Sequence, residues 1–254
     1  MPGQEQPWRS PAGEALFRPV RAANAFEETV ERLLQAVRLG VVAPGDRLPS
    51  ERELASRLGV GRAKVRESLA ALTSAGYLEV RRGRYGGTFV LAADPGTEHA
   101  AHVDASAAAS PVTLRAAALL DTLTFRQVVE TGAAEAAAAA ELGPDEQAHL
   151  GGLLEETSSA SLADYRRLDS RLHLAVAEVT GSPSLTAAVA EVRLRTNDLL
   201  DAIPLLAPNI EHSNRQHRKL VVAILTGETE AARRAMAEHL EGTAMLLRGF
   251  LFRT

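Results

Sequence analysis

The stretch that decides the fold runs from Leu48 to Val90 and reads LPSERELASRLGVGRAKVRESLAALTSAGYLEVRRGRYGGTFV. Its patterns predict a helix, a turn, a basic helix and two short strands at 77–82 and 87–91, which are joined by a glycine-rich tip. Elements in this order place the second helix in a groove of DNA and hold the hairpin loop beside it. The stretch therefore indicates a DNA-reading module.

Local signals define where the helices of this module begin and end. Ser50, followed three residues later by Glu53, forms the capping-box pattern of a helix start. Gly59 ends that helix, and the next helix starts at Arg62. Apolar residues at helical spacing predict a further amphipathic helix over about 25–40. The module is thus expected to hold three helices and one hairpin.

The charge of the chain is unevenly distributed. Residues 47–92 carry nine Arg or Lys and four Glu, a net charge of +5, whereas the whole chain sums to −4 and the remainder therefore to −9. A basic module on an acidic body confines the attraction for phosphate to the reading face. This distribution favours a nucleic-acid partner, although the total charge alone would argue against one.

The composition excludes several classes of protein. The 254 residues suit one large domain or two ordinary ones, and no cysteine is present, which excludes disulfides, thiolate zinc fingers and cysteine catalysis. The N-terminus lacks a signal-peptide pattern, and no apolar run approaches the roughly 20 residues that span a bilayer. These features predict a cytoplasmic protein with no membrane partner.

The remainder of the chain predicts a second domain that is entirely helical. Apolar periodicity without any strand signal predicts helices near 113–142, 145–158, 161–180, 184–203, 209–226 and 228–250, with Leu120 as a candidate break in the first. The fold class is therefore mainly α, with an N-terminal winged helix-turn-helix domain (three helices plus a β-hairpin) followed by an all-α helical bundle. The predicted bounds are a disordered tail over 1–22, the DNA-binding domain over 23–92, a linker over 93–112 and the helical domain over 113–250.

Basic residues at the start of the second helix are the candidate base readers. Arg62 and Arg66 are four residues apart and share one helix face, and arginine reads guanine bidentately in the major groove. Each single arginine could equally be a solvated surface residue, but the ordered set beside a wing favours DNA binding. The candidate DNA-binding residues are Arg47, Ser50, Arg52, Arg62, Lys64, Arg66 and Gly86.

Three histidines and one aspartate of the helical domain form a candidate metal site. Asp169 and His173 lie one turn apart on one helix, and His217 and His239 each lie on or beside the apolar stripe of a later helix. Three imidazoles and a carboxylate that converge from three helices suit Zn²⁺, Ni²⁺ or Mn²⁺. The alternative is that these histidines are hydrogen-bonded core residues.

The N-terminal motifs carry a resemblance to a known family. The segments LPSERELA, GVGRAKVRE and RGRYGGTFV are similar to the winged-helix module of the GntR family of transcription regulators, over about residues 26–91. The resemblance implies that Arg52, Arg62 and Arg66 contact bases and that Gly86 belongs to the wing tip. One departure is Gly61, where the family usually has a Ser or Thr that caps the recognition helix.

The helical domain resembles the FCD ligand-binding domain of the FadR-like branch of that family, over about residues 113–248. The shared pattern is an arginine in the first long helix, D-x-x-x-H, and two later histidines 22 residues apart, here Arg126, Asp169 with His173, His217 and His239. The resemblance implies the metal-binding version of the domain, with zinc as the first choice. It also implies that Arg126 binds a carboxylate of the effector, with Arg195 as a second candidate, unless Arg126 only pairs with Glu130 on the surface. A further departure is the segment 181–184, where many relatives have Asn.

These observations lead to one functional hypothesis with two alternatives. The chain is expected to be a homodimeric transcription regulator, a repressor, that binds a short palindromic operator on double-stranded DNA and senses a small carboxylate through its metal-containing domain. One alternative is a metal-dependent hydrolase that uses the Asp/His3 site, although no clear general base accompanies the four ligands. The other alternative is a purely structural bundle.

Overall fold

The computed structural model describes residues 17–38, 41–83, 86–91 and 111–251. Its elements in chain order are α1 (Ala25–Arg38), α2 (Glu51–Leu58), α3 (Arg62–Ser74), β1 (Leu78–Arg81), β2 (Gly87–Val90), α4 (Pro111–Ala139), α5 (Pro144–Ser158), α6 (Tyr165–Glu178), α7 (Pro183–Asp201), α8 (Ala207–Leu225) and α9 (Thr229–Leu251). The chain divides into two compact units. Of the described residues, the first unit comprises 17–38, 41–83, 86–91, 202–208 and 242–251, and the second comprises 111–201 and 209–241.

The first unit is built around α2 and α3. Ser50 Oγ accepts a hydrogen bond from the Glu53 amide at 3.3 Å, and Gly59 adopts the left-handed conformation (φ 66°) that ends α2. Helices α1 and α3 pack against each other, and α2 packs on α3. The buried apolar residues of the three helices include Phe26, Val30, Leu33, Leu34, Leu54, Leu58, Val65, Leu69 and Leu72. This core fixes which face of α3 is left for solvent.

The two strands form an antiparallel hairpin. Its register pairs Leu78 with Val90 and Arg81 with Gly87, and Arg47 forms an isolated bridge with Phe89. Leu78 and Val90 are buried, while Arg81 and Arg82 are exposed towards the tip. The winged helix-turn-helix arrangement is therefore present, although Arg84 and Tyr85 of the tip lie outside the described residues.

The C-terminal end of α9, residues 242–251, belongs to the first unit. There the Phe250 ring lies edge-on to Tyr77 with centroids 5.4 Å apart, and Arg248 pairs with Glu31 of α1 at 3.5 Å. Part of the segment predicted as a tail over 1–22 also packs within the first unit. Phe17 is buried and the Val20 amide donates to the Leu58 carbonyl at 2.9 Å, so residues 17–22 are part of the unit, while residues 1–16 lie outside the described residues.

The second unit is an all-α bundle, as the periodicity predicted. Its core is formed by α4, α5, α6, α8 and the first part of α9, with members that include Leu150, Leu172, Leu220 and Met236. Helix α7 packs on α4 and α6, where Val189 joins a smaller cluster. Helix α4 is continuous, so Leu120 does not break it.

The start of α6 and the start of α4 differ from the predicted bounds. Helix α6 begins at Tyr165 rather than near residue 161, because residues 161–164 form a turn in which the Asp164 amide donates to Ser161 Oγ at 3.2 Å. Of the predicted linker over 93–112, residues 93–110 lie outside the described residues, and residues 111 and 112 already belong to α4. Within the part of the chain that the structure describes, every helix is too short or too polar to cross a membrane.

Candidate metal centre and nucleic-acid interface

Four residues from three helices of the second unit converge in its interior. Asp169 and His173 come from α6, His217 from α8 and His239 from α9. One ligand atom from each lies within 4.8 Å of the others, and all four residues are buried. The predicted metal-binding residues are therefore brought together.

The distances between these atoms suit the binding of one metal ion. His217 Nε2 lies 3.3 Å from His239 Nε2 and 3.3 Å from Asp169 Oδ1, and His173 Nε2 lies 3.9 Å from the same oxygen. Ligand atoms bound to zinc at about 2.0–2.1 Å in a tetrahedron are about 3.3 Å apart. His173 Nε2 is buried without a hydrogen-bond partner among the described residues. A divalent cation at this point would satisfy that nitrogen, so the donor set fits a metal.

Burial keeps the imidazoles of His217 and His239 in the form that binds metals. Burial lowers the pKa of His217 to about 4, because the positively charged ring loses its hydration. Burial likewise lowers the pKa of His239, and the neighbouring His217 adds to the effect. Burial alone would raise the pKa of Asp169, but Arg193 and His173 outweigh it and hold that pKa well below its usual range. At neutral pH the site therefore offers neutral His217 and His239 nitrogens and an ionised carboxylate.

Glu130 on α4 supports His173 from the side opposite the cluster. Its Oε2 contacts His173 Nδ1, and its Oε1 accepts a hydrogen bond from Arg126 Nε at 2.7 Å. With Nδ1–H donating to Glu130, His173 Nε2 is left as the nitrogen that faces Asp169. Burial alone would raise the pKa of Glu130, but His173 and Arg126 outweigh it and hold that pKa well below its usual range.

The Arg126–Glu130 pair is present, but it is not the surface pair that was considered as an alternative for Arg126. The two side chains are 2% and 1% exposed. Both residues lie on the buried face of α4, whose later members are Ala133, Ala134 and Ala137. Helical spacing from this alanine stripe was the signal that Glu130 belongs to the interior.

Arg193 is a site residue that the sequence analysis missed. Its Nη2 contacts Asp169 Oδ2 and lies 3.0 Å from Ser170 Oγ. Asp169 therefore uses one oxygen for Arg193 and directs the other towards the histidines. The buried residues of α7 include Val189, Val192 and Thr196, and Arg193 shares their helical spacing. That spacing was the available signal.

Arg195, the second effector candidate, lies outside this group. Its side chain is 44% exposed and contacts Glu191 on the same helix and Asp121 of α4, the latter at 3.3 Å. The helix turn between positions 193 and 195 is about 200°, so the two side chains leave α7 on nearly opposite sides. Arg195 is therefore not one of the residues that surround the cluster, and its part in effector binding stays a prediction.

The outer face of α3 carries the predicted base readers. Arg62 and Arg66 are exposed, whereas Val65 on the inner face is completely buried. Arg66 donates from Nη2 to Glu51 Oε2 at 2.8 Å, which ties the recognition helix to α2. Arg52 on α2 is exposed as well. These three arginines are thus accessible to a large polyanion, although Arg66 would first have to leave Glu51.

Other residues that were predicted to contact DNA also take part in contacts within the protein. Lys64 is half-buried, pairs with Glu67 at 2.5 Å and lies 5.8 Å above the Phe26 ring. Ser50 is exposed but its hydroxyl caps α2. Arg47 is exposed beside the hairpin.

Two glycines of the module have contrasting surroundings. Gly86 must lack a side chain, because a Cβ there would lie 2.9 Å from the Gly83 carbonyl oxygen. Gly61 is the N-cap of α3 with φ −65° and no side-chain cap, and a Cβ there would meet nothing within 4 Å. Gly61 is therefore a position where a larger residue fits.

Comparisons with known proteins give a family match for a segment of each unit. Residues 26–90 match the family described as bacterial regulatory proteins, gntR family, and residues 121–242 match the FCD domain. The chain is similar to a protein described as the HTH-type transcriptional regulator RmpR of Mycobacterium gastri, with 31% identity over 245 residues, 91% of this chain and 83% of the relative. It is similar to the HTH-type transcriptional repressor NanR of Enterobacter sp. (strain 638), with 29% identity over 92% of this chain and 89% of the relative. A solved structure described as Streptococcus agalactiae GntR matches with 24% identity and a TM-score of 0.44, over 86% of this chain and 98% of that one.

Proposed function

The chain belongs to the gntR family of bacterial regulatory proteins and carries an FCD domain, and from this premise we propose that it represses transcription until a small carboxylate binds beside a metal ion in that domain. It is a metabolite-sensing transcription regulator, and its family and relatives are regulators rather than enzymes. The alternative of a metal-dependent hydrolase is therefore not supported.

The buried Asp/His3 cluster carries the sensing part of the proposal. The four ligand atoms within 4.8 Å of one another suit one divalent cation, with zinc as the expected ion and nickel or manganese as alternatives. A cation held by these four residues would take an anionic oxygen as an additional ligand by expanding its coordination beyond four, and it would act on that oxygen as a Lewis acid. Arg126 would hold the carboxylate of the effector, because its guanidinium is buried beside the cluster and keeps one nitrogen, Nη1, without a partner among the described residues.

The burial of the cluster connects binding with a change of conformation. Asp169, His173, His217 and His239 are at most 7% exposed. An effector can reach them only when the surrounding helices separate, so it binds one arrangement of the domain better than another. A ligand shifts a conformational equilibrium only through such a difference in affinity.

The output part of the proposal rests on α3. Arg62 and Arg66 would read bases in the major groove, Arg52 would contact the groove edge, and Lys64, Arg47 and Ser50 would contact the backbone, with Gly86 in the wing. Two copies related by a two-fold axis would read the two halves of a short palindrome, which is why we propose a homodimer. A regulator that acts on double-stranded DNA would work in the cytoplasm of a bacterium.

A gel-shift experiment with the full chain tests the proposal. The zinc-loaded protein first selects its operator from a random duplex library, and binding to the selected DNA is then titrated with a panel of small organic acids. We expect at least one acid to change the DNA affinity by about fivefold or more, the lower end of ordinary coupling energies. No response to any acid of a broad panel would refute the sensing part.

Two pairs of variants separate the functions of the two units. Arg62→Ala should weaken operator binding by about 1–3 kcal/mol without changing acid binding, whereas Arg234→Ala, at an exposed position of α9, should change neither. His239→Ala should remove the metal and the acid response but leave the protein able to bind DNA. His149→Ala, on the exposed face of α5, is its matched control.

A further inference from the structure

Four charged side chains lie buried together around the proposed metal position. Among the described residues of the second unit, they are the buried members of the Arg, Lys, Asp and Glu types: Arg126, Glu130, Asp169 and Arg193. Arg126 pairs with Glu130 and Arg193 pairs with Asp169. Their formal charges cancel, so the protein itself presents a neutral interior.

A divalent cation changes this balance. Histidines that bind a metal do so as neutral imidazoles, so the metal ion and the four buried charged side chains together have a net charge of +2 inside the bundle. Uncompensated charge in a protein interior is unfavourable, because the ion loses its hydration without gaining a counter-charge. A monocarboxylate would leave one positive charge unbalanced, whereas a dianion would balance both.

The unused hydrogen-bond donors of the site indicate where the second negative charge would bind. Arg193 keeps Nε and Nη1, and Arg126 keeps Nη1, without a hydrogen-bond partner among the described residues, although both side chains are 2% exposed. Both guanidinium groups border the cluster, because Arg193 contacts Asp169 and Arg126 binds Glu130, which in turn contacts His173. A carboxylate has two oxygens, so it can accept one charge-assisted hydrogen bond from each of the two guanidinium groups.

We propose that the effector is a dicarboxylate, with one carboxylate bound at the metal position and the other hydrogen-bonded by Arg193 and Arg126. This inference rests on the proposed function, since it presupposes both the metal and a carboxylate effector. It adds a specificity residue, Arg193, and a class of ligand. Arg193 would then perform two tasks, because its Nη2 also holds Asp169 Oδ2 and so directs Oδ1 towards the histidines.

Calorimetric titration of the zinc-loaded full chain tests the charge requirement without any substitution. The probes are malonate, succinate, glutarate and adipate, each beside its monoamide, which has nearly the same size and one negative charge fewer. At least one diacid should bind about tenfold or more tightly than its monoamide, because the second carboxylate accepts charge-assisted hydrogen bonds that the neutral amide does not. Zinc-free protein should lose this binding.

The outcomes distinguish this inference from the function on which it rests. If monoamides or simple monocarboxylates such as propanoate bind as tightly as the diacids, the metal-dependent carboxylate sensor stands and the dicarboxylate inference is wrong. If no carboxylate binds the zinc-loaded protein, both are wrong.

A substitution in α7 then tests the part assigned to Arg193. Arg193→Gln should reduce the ratio of diacid to monoamide affinity by about tenfold, with zinc content measured on the same sample. Arg195→Gln removes the same charge from an exposed position two residues away and should leave the ratio unchanged. A ratio that Arg193→Gln and Arg195→Gln alter equally would refute the assignment, and if the Gln variant does not retain zinc, the ligand series on the unchanged chain decides.

Discussion

Removing the charge of Glu130 while keeping its shape should reveal how the metal site is supported. In the Glu130→Gln variant, Arg126 loses its partner at 2.7 Å, and His173 loses the carboxylate that orients its ring. Arg126 is 2% exposed, so the variant leaves a guanidinium buried without a counter-charge. Breaking a buried ion pair from one side costs about 3–5 kcal/mol, a large fraction of the stability of an ordinary domain.

Two measurements give the effect of Glu130→Gln on stability and on zinc affinity. Urea denaturation of the chelator-treated protein, followed by circular dichroism, should show the free energy of unfolding lowered by about 3–5 kcal/mol. Competition with a chromophoric zinc chelator should show zinc affinity lowered by about 10- to 100-fold, as is usual when the residue that orients a histidine ligand is removed.

Two further variants act as controls. Glu135→Gln lies on the exposed face of the same helix and should change both quantities little. The double variant Arg126→Met with Glu130→Gln should recover part of the lost stability, because it removes the unpaired charge as well. If Glu130→Gln and Glu135→Gln agree within about 0.5 kcal/mol and in zinc affinity, the reasoning about the buried pair is refuted.

Three further predictions concern pH, the cap of the recognition helix and its ion pair. Lowering the pH from 6.5 to 4 should destabilise the metal-free protein by on the order of 3 kcal/mol through His217. The pKa of His217 is about 4 in the folded state and near 6.5 in the unfolded chain, so the unfolded chain binds the proton first. Urea denaturation at several pH values measures the free energy of unfolding, and a value that does not change with pH contradicts the prediction. Gly61→Ser should raise the stability against urea by about 0.5 kcal/mol, because a side chain fits there without strain and caps α3, and a loss would show that the position needs glycine. Glu51→Gln should tighten DNA binding at low salt by up to about fivefold because it releases Arg66 from an exposed ion pair, and weaker binding would mean that Glu51 holds Arg66 in the reading position.

Much of the architecture follows from short-range patterns. The cap at Ser50, the left-handed Gly59 and the apolar spacing of α3 are local features, and each predicted an element that the structure contains. The histidines were also found in this way, since each lies on the apolar stripe of its own helix. Family motifs then related these stripes to one another, which spacing within a single helix cannot do.

The interior of the metal site was decided by packing between helices. Glu130 and Arg193 read in sequence as ordinary charged residues of long helices, and Arg195, not Arg193, was the second candidate for the effector site. A two-residue step turns the side chain to the opposite side of a helix, so only the contact of α7 with α6 selects Arg193 as the partner of Asp169. Similarly, the residues at 17–22 and 242–251 became part of the first unit through contacts with residues far away in the chain. Local sequence sets the conformation and the apolar face of each element, whereas the burial of a charge depends on partners from other elements, and these meet only when the bundle is formed.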